Sequence, residues 1–414
     1  MSFFSSRWVE RPVHVTELDS AVLPRGFRAA GVAAGIKPQG LDVGVLVSEE
    51  PGTVSSARFT TNARVGAPVT VSRQARLDGL RAVVANSGCS NVGDGRRGYE
   101  TATAMQARTA ELLGVDPAAV GVASTGAIGR ELPRERVLAG VAAACGELGE
   151  GAGAFSESIL TSDAGPKRCA LEVALPSGTV RLCAQAKGAG MISPRFATMF
   201  CFVETDAMLD AAALDLLVGV CMKRSFDRIS VDGQLSTSDT VFALANGAGG
   251  VAVEPETPDE LALGEALDAL LRQLALDIVR DGEGTRRVGR VVVRGAVDAV
   301  EPIARAVADS PLVKTALHGA DPNFGRILQA AGQAYPEGEP FVVDLAIEGL
   351  PVVSAGDALE LGQAGLAELE KAVGREEVEI ELTVPGEGGE TEVFFSDLSE
   401  AYVAFNSEYG KGRG

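Results

Sequence analysis

Lys187-Gly188-Ala189-Gly190-Met191-Ile192-Ser193-Pro194-Arg195-Phe196-Ala197-Thr198-Met199-Phe200 is the stretch on which the reading of this chain turns. Glycines at 188 and 190 free the backbone, Ser193-Pro194 favours a turn, and small Ala197 stands directly before the hydroxyl of Thr198. A β-hydroxyl can attack the carbonyl of its own preceding peptide bond when the backbone is held in a strained turn, and Gly and Pro supply such conformations. Cleavage there would leave Thr198 with a free α-amine able to act as base for its own hydroxyl. The same residues also suit an ordinary threonine leaving a loop for the apolar strand 199–203. On this stretch alone both readings stand.

Bulk properties narrow the field. The chain has 414 residues, more than one core usually supports, so two domains or one elaborate one are expected. Apolar residues make up 46% and charged ones 22%, the balance of a soluble globular protein. A net charge of −19 argues against nucleic acid and anionic membrane as partners. No apolar run approaches the roughly 20 residues of a membrane span, and the first residues do not read as a secretory signal. Six scattered cysteines without a C-x-x-C pair suggest reduced thiols in a cytoplasmic protein. His14 and His318 are the only histidines, so a nucleophile carrying its own base is favoured over a Ser-His-Asp triad or a His-rich metal site.

The element order is mixed α/β. Strands are expected at 43–48, 57–61, 69–72, 82–85, 120–123, 170–173, 180–184, 199–203 and 228–231. Helices are expected at 99–113, 134–148, 211–225 and 257–281, the last two with apolar residues at helical spacing. From Arg287 a strand, two helices, a strand, a helix and a strand suggest a smaller α/β unit. Gly93-Asp94-Gly95-Arg96-Arg97-Gly98 matches a dinucleotide-binding glycine pattern. It does not begin at the end of its strand, however, and the next strand ends in Ser124-Thr125 without the acidic residue that would hold a ribose. A glycine-rich turn capping a helix accounts for it better.

Other groups fit acyl chemistry. Ser124-Thr125-Gly126 follows the apolar strand 120–123, and a hydroxyl beside glycine at a strand end can offer donors to a developing oxyanion. Glu283 stands between Gly282 and Gly284, poised to hold a substrate ammonium or simply solvated. Thr161-Ser162-Asp163 and Lys187 are open to the same two readings.

Taken in order, GFRAAGVAAGIKPQG (26–40), PGTVSSARFTTN, VVANSG, VASTGAIG, LTSDAGPK, KGAGMISPRFATM, FDRISVDGQLSTSDT, VRDGEG, SPLVKTALHGADPNFGR and DLSEAYVAFNSEY resemble the ornithine acetyltransferase family, also called glutamate N-acetyltransferase. The resemblance covers nearly the whole chain. It implies an αββα layered sandwich of the N-terminal-nucleophile type over 1–286, a smaller α/β domain over 287–390, and a segment 391–414 returning to the active site. It implies self-cleavage between Ala197 and Thr198 into chains 1–197 and 198–414, which stay together as a heterotetramer of two chain pairs. Thr198 would be the nucleophile and Thr125 with Gly126 the oxyanion site. Thr161, Lys187, Thr198, Glu283 and Asn406 would bind substrate, with Lys411 where the family places a hydroxyl residue. The expected reaction moves acetyl from N-acetylornithine to glutamate in arginine biosynthesis through an acetyl-threonine. It needs no metal or cofactor, although some members also take acetyl-CoA as donor. A self-cleaving N-terminal-threonine aminopeptidase or amidohydrolase is the alternative. Cys89-Ser90, Gln234-Leu235, Arg195-Phe196 and Phe324 also depart from the family's usual residues.

Overall fold

The computed structural model describes residues 2–193, 199–335, 338 and 340–408. Two sheets lie face to face. The four-stranded sheet runs in the order Phe27–Val32, Val43–Ser48, Ala82–Asn86, Val120–Ser124, with only its last pair parallel. The six-stranded sheet runs Val15–Glu17, Lys167–Leu175, Gly178–Lys187, Phe200–Thr205, Thr240–Ala245, Val54–Phe59. Its single parallel pair is Phe200–Thr205 with Thr240–Ala245.

Strand periodicity sorts side chains between the layers. Leu46, Val83, Ala85 and Ala123 of one sheet meet Ala170, Cys183, Phe200, Phe202, Phe242 and Leu244 of the other in a shared core. The alternate residues Val45, Val84 and Val122 face outward onto helices Gly95–Leu113 and Arg134–Gly146. Leu171, Val173, Ala184, Cys201 and Val203 face helices Ala211–Arg224 and Pro258–Arg280. Helix, sheet, sheet, helix is therefore the layering. The sheets approach closely at Gly121, where a Cβ would lie 2.7 Å from the Phe242 ring.

A third sheet of seven strands carries the C-terminal part, with Val288–Ala296, Glu377–Thr383 and Gly388–Ser396 at its centre. Helices Val297–Asp309, Pro311–Gly319, Phe324–Gln333 and Gly362–Val373 contribute to its core. The expected boundary at 390 falls inside strand Gly388–Ser396. The sheet also takes in Ile229–Ser230 from the preceding region, so the two units share a sheet edge.

Residues 69–72 are helical, within Ala67–Arg73, and not a strand. Pro68 in the first turn starts the helix. Ser72 Oγ both accepts from Val122 N and donates to Val122 O, each at 2.7 Å, which docks the helix on the four-stranded sheet. Tertiary packing there overrides the β preference of Val69 and Val71. Helix Gly95–Leu113 begins inside the glycine-rich run, with Asp94 as N-cap. The glycines at 95 and 98 are thus its first turn. Among the described residues no helix is long and apolar enough to cross a membrane.

Candidate active site

Lys187 pairs with Phe200 across adjacent antiparallel strands, so the run between them leaves and re-enters the sheet at one end. Above that end lies a cavity of about 710 Å³. Thr125, Gly126, Thr161, Lys187, Glu283 and Asn406 all line it. They arrive from five places: the turn after Val120–Ser124, the loop after Gly153–Ser158, the end of Gly178–Lys187, the turn after Pro258–Arg280, and helix Glu400–Glu408. Ala197, Thr198 and Lys411 lie outside the described residues, as do Pro194, Arg195 and Phe196.

Thr125 is buried, and its N–H donates to Asn86 O at 3.0 Å. Lys187 Nζ donates to Thr125 Oγ1 at 3.2 Å. Gly126 has φ +125°, and a Cβ there would lie 2.4 Å from the carbonyl carbon of Gly88. Only glycine fits that turn. Cys89-Ser90 pack directly behind it: Cys89 bridges to Ala127, and Ser90 Oγ donates to Ala127 O at 2.8 Å. The sequence departure at 89–90 therefore sits under the candidate oxyanion turn.

Lys187 is fully buried, not a surface group. Burial pushes its pKa down, against the pull of Asp163, with Lys167 adding to the decrease. Asp163 Oδ1 accepts from Gly188 N at 2.6 Å and Lys167 Nζ at 2.9 Å, and its Oδ2 accepts from Thr161 N at 3.0 Å. Burial alone would raise the pKa of Asp163. The ammonium groups of Lys187 and Lys167 outweigh it and hold the carboxyl well below the usual range. Lys167 continues to Asp281 at 2.5 Å, which ties the end of helix Pro258–Arg280 to this loop.

Glu283 follows that helix end. Its carboxylate packs against Gly190, where a Cβ would lie 2.8 Å from Oε1. Burial, first, and the nearby charges of Asp232 and Asp163 raise its pKa. Its Oε2 is shielded from solvent and takes no hydrogen bond among the described residues. A cation in the cavity would satisfy it. Asn406 is exposed at the mouth, its amide donating to Tyr402 O at 3.0 Å.

Asp232 went unnoticed in the sequence, where an acidic residue before glycine reads as a turn. It accepts from Met191 N at 2.7 Å, Ile192 N at 2.9 Å and the Tyr402 hydroxyl at 3.1 Å. Helix Glu400–Glu408 is thereby fastened to the described start of the 187–200 run.

The ArgJ family model matches residues 28–411. A bifunctional arginine-biosynthesis protein ArgJ of Rhodopirellula baltica is 42% identical over 399 residues, covering 94% of this chain and 97% of its own. Its counterpart in Symbiobacterium thermophilum is 41% identical, over 93% and 97%. This chain belongs to the ArgJ family. A crystal structure of the Mycobacterium tuberculosis ornithine acetyltransferase complexed with ornithine is 32% identical, over 45% of this chain and 99% of that one, with a TM-score of 0.41.

ArgJ-family membership covers both the sandwich and the seven-stranded sheet, since the match runs through 411. Among the described residues no group of three His, Cys, Asp or Glu is placed to hold a metal ion. The chemistry available around the cavity is that of hydroxyl, ammonium, carboxylate and backbone amide groups.

Proposed function

We propose that this chain is an acetyltransferase of arginine biosynthesis that matures by breaking its own Ala197–Thr198 bond and passes acetyl from N-acetylornithine to glutamate on Thr198. The observation that carries this reading is one cavity that gathers the Thr125-Gly126 turn, Lys187 and Glu283 at the sheet end leading into Met199. The α-amine of Thr198 takes the proton of its own hydroxyl, and the oxygen attacks the acetyl carbonyl. A lysine ammonium can only donate, so its contact at Thr125 Oγ1 leaves the Thr125 proton free to meet the oxyanion, beside the Gly126 N–H. Collapse breaks the acetyl–nitrogen bond, the protonated amine returns its proton to the leaving nitrogen, and ornithine departs. Glutamate's amine then attacks the acetyl-threonine ester and the acetyl–oxygen bond breaks. The proton lost by glutamate's nitrogen passes through the Thr198 amine to the threonine oxygen, and N-acetylglutamate leaves.

Glu283 is assigned to a substrate ammonium, and Thr161, Asn406 and Lys411 to substrate polar groups. Lys187 acts at the oxyanion side, and any hold on a substrate carboxylate is shared with that contact. The enzyme needs no metal or cofactor and works in the cytoplasm as two chain pairs.

Intact-mass measurement of freshly made protein tests the reading. Two chains, 1–197 and 198–414, are expected from the wild type and one from Thr198→Ala. A Thr198→Ala protein that still splits assigns cleavage to another protease and removes the nucleophile. Purified enzyme given N-acetylornithine and glutamate should form N-acetylglutamate, whereas release of acetate alone would favour an amidohydrolase. The same assay with acetyl-CoA reports whether this chain also uses that donor.

A further inference from the structure

Asp239 ends the loop before strand Thr240–Ala245, which runs parallel beside Phe200–Thr205 with Thr240 opposite Phe200. Thr240 N donates to Met199 O at 3.1 Å, and Asp239 Oδ1 accepts from Met199 N at 3.0 Å. The residue that follows Thr198 is thus gripped by both of its backbone groups. Asp239 is fully buried, and its second oxygen, Oδ2, is cut off from solvent with no hydrogen bond among the described residues.

The groups facing this carboxyl come from three elements. Thr60 and Ser236 approach it, and the Lys187 ammonium favours its charged form from strand Gly178–Lys187. Lys187 already donates to Thr125, however. Burial outweighs these influences, together with the Met199 amide, and raises the pKa. An unpartnered oxygen in a dry site is costly, and a cation beside it would remove the cost. Met199 N is bonded to the carbonyl carbon of Thr198, so the Thr198 nitrogen lies within about 3.7 Å of it by chain geometry. Cleavage would create an amine on that nitrogen.

We propose that Asp239 is a positioning residue for the Thr198 α-amine: its free oxygen receives the amine as it is released and keeps it beside the hydroxyl in the mature enzyme. This rests on the proposed function above. In the acyl shift, the Thr198 oxygen bonds to the Ala197 carbonyl carbon, the carbon–nitrogen bond breaks, and the hydroxyl proton ends on nitrogen. Asp239, whose protonated form burial favours in the precursor, then gives its proton to that amine. The resulting ammonium–carboxylate pair draws an otherwise uphill amide-to-ester step forward, and water hydrolyses the ester. In turnover the ammonium returns this proton to Asp239, which leaves the amine neutral and able to take the hydroxyl proton.

Asp239→Asn keeps an oxygen for Met199 N and removes the proton relay. Its precursor should mature at least about tenfold more slowly by intact mass, since a tenfold rate change needs only ~1.4 kcal/mol in the barrier. Loss of the carboxylate makes the ammonium harder to keep. The acid limb of kcat/KM for N-acetylornithine in the matured fraction should therefore move down by about 1 pH unit or more. Asp239→Glu should restore part of both. Wild-type maturation together with an unmoved acid limb overturns the proposal. Should the asparagine variant fail to fold, the mature wild type still decides. Its Thr198 amine, labelled with ¹³C-methyl groups and titrated by NMR, should lie above the ordinary α-amine range of about 7.7–8.0. A value at or below that range overturns it. Splitting of Thr198→Ala would overturn the broader function, whereas an inert Asp239→Asn beside an intact Thr198→Ala overturns this inference alone.

Discussion

An ammonium cannot accept a hydrogen bond, so the 3.2 Å contact from Lys187 Nζ to Thr125 Oγ1 fixes which way the threonine's own proton can point. A donor aimed at a developing oxyanion is worth far more than one that must reorient during the reaction. Thr125→Ala should therefore lower kcat by about 100-fold or more with a smaller change in KM. An unchanged kcat would leave Thr125 as a turn residue. Glu283 offers the opposite charge, with an unpartnered oxygen at the cavity. Glu283→Gln keeps the shape and removes the charge, so KM for N-acetylornithine should rise while self-cleavage continues. Steady-state kinetics on the cleaved variant check this, and an unmoved KM would take Glu283 out of the ammonium site.

At the scale of elements, the strand that carries Lys187 also carries a buried polar row. Gln185 Nε2 on it donates to Glu204 Oε2 at 2.9 Å across to the neighbouring strand, and Glu204 is fully buried. Burial pushes the Glu204 pKa up to about 8. The folded state therefore holds a proton that the unfolded chain releases above its ordinary value of 4.5. Stability from this group is full below that value, falls as pH rises, and levels off once pH passes about 8. Glu204→Gln keeps a neutral side chain at every pH. Its melting temperature should exceed the wild type's at pH 8, with the gap closing toward pH 5. A gap independent of pH would show that Glu204 does not titrate across this range. The strands and helices around this row were mostly legible as alternating or helical apolar patterns. Helix Ala67–Arg73 and strand Thr240–Ala245 were not. The first has strand-like valines in a helix made by docking, and the second has an apolar run that shades into the turn Asn246-Gly247 without a boundary.

At the scale of the molecule, cleavage at 197–198 would leave two chains threaded through one sheet. Strands Phe200–Thr205 and Thr240–Ala245 would belong to the second chain. They are flanked by Gly178–Lys187 and Val54–Phe59 of the first. Separating the pieces would break backbone ladders on both sides and expose the aromatic core of Phe200, Phe202 and Phe242. The pieces should therefore co-elute on size exclusion in native buffer and part only in denaturant. Elution as two separate species would contradict this sheet order.

Much of the cavity lining was readable in one dimension because it rests on local motifs. A Thr-Gly turn and a glycine-flanked glutamate carry their polar groups in the local sequence, and both line the cavity. The two-sheet layering was implied by the family resemblance and not by those motifs themselves. Asp232 and Asp239 had no such signature, because an aspartate in a polar turn is usually solvated, and Asp163 beside Thr161 was open to that same reading. Folding shields the side chains of Asp163 and Asp239 from solvent and puts all three aspartates on backbone amides far away in the chain, such as Gly188, Met191 and Met199. Residue types and spacing determined which groups could react. Only the packing of the strands decided which carboxylates lost their water, and desolvation is what turns an ordinary acidic side chain into one that must find a specific partner.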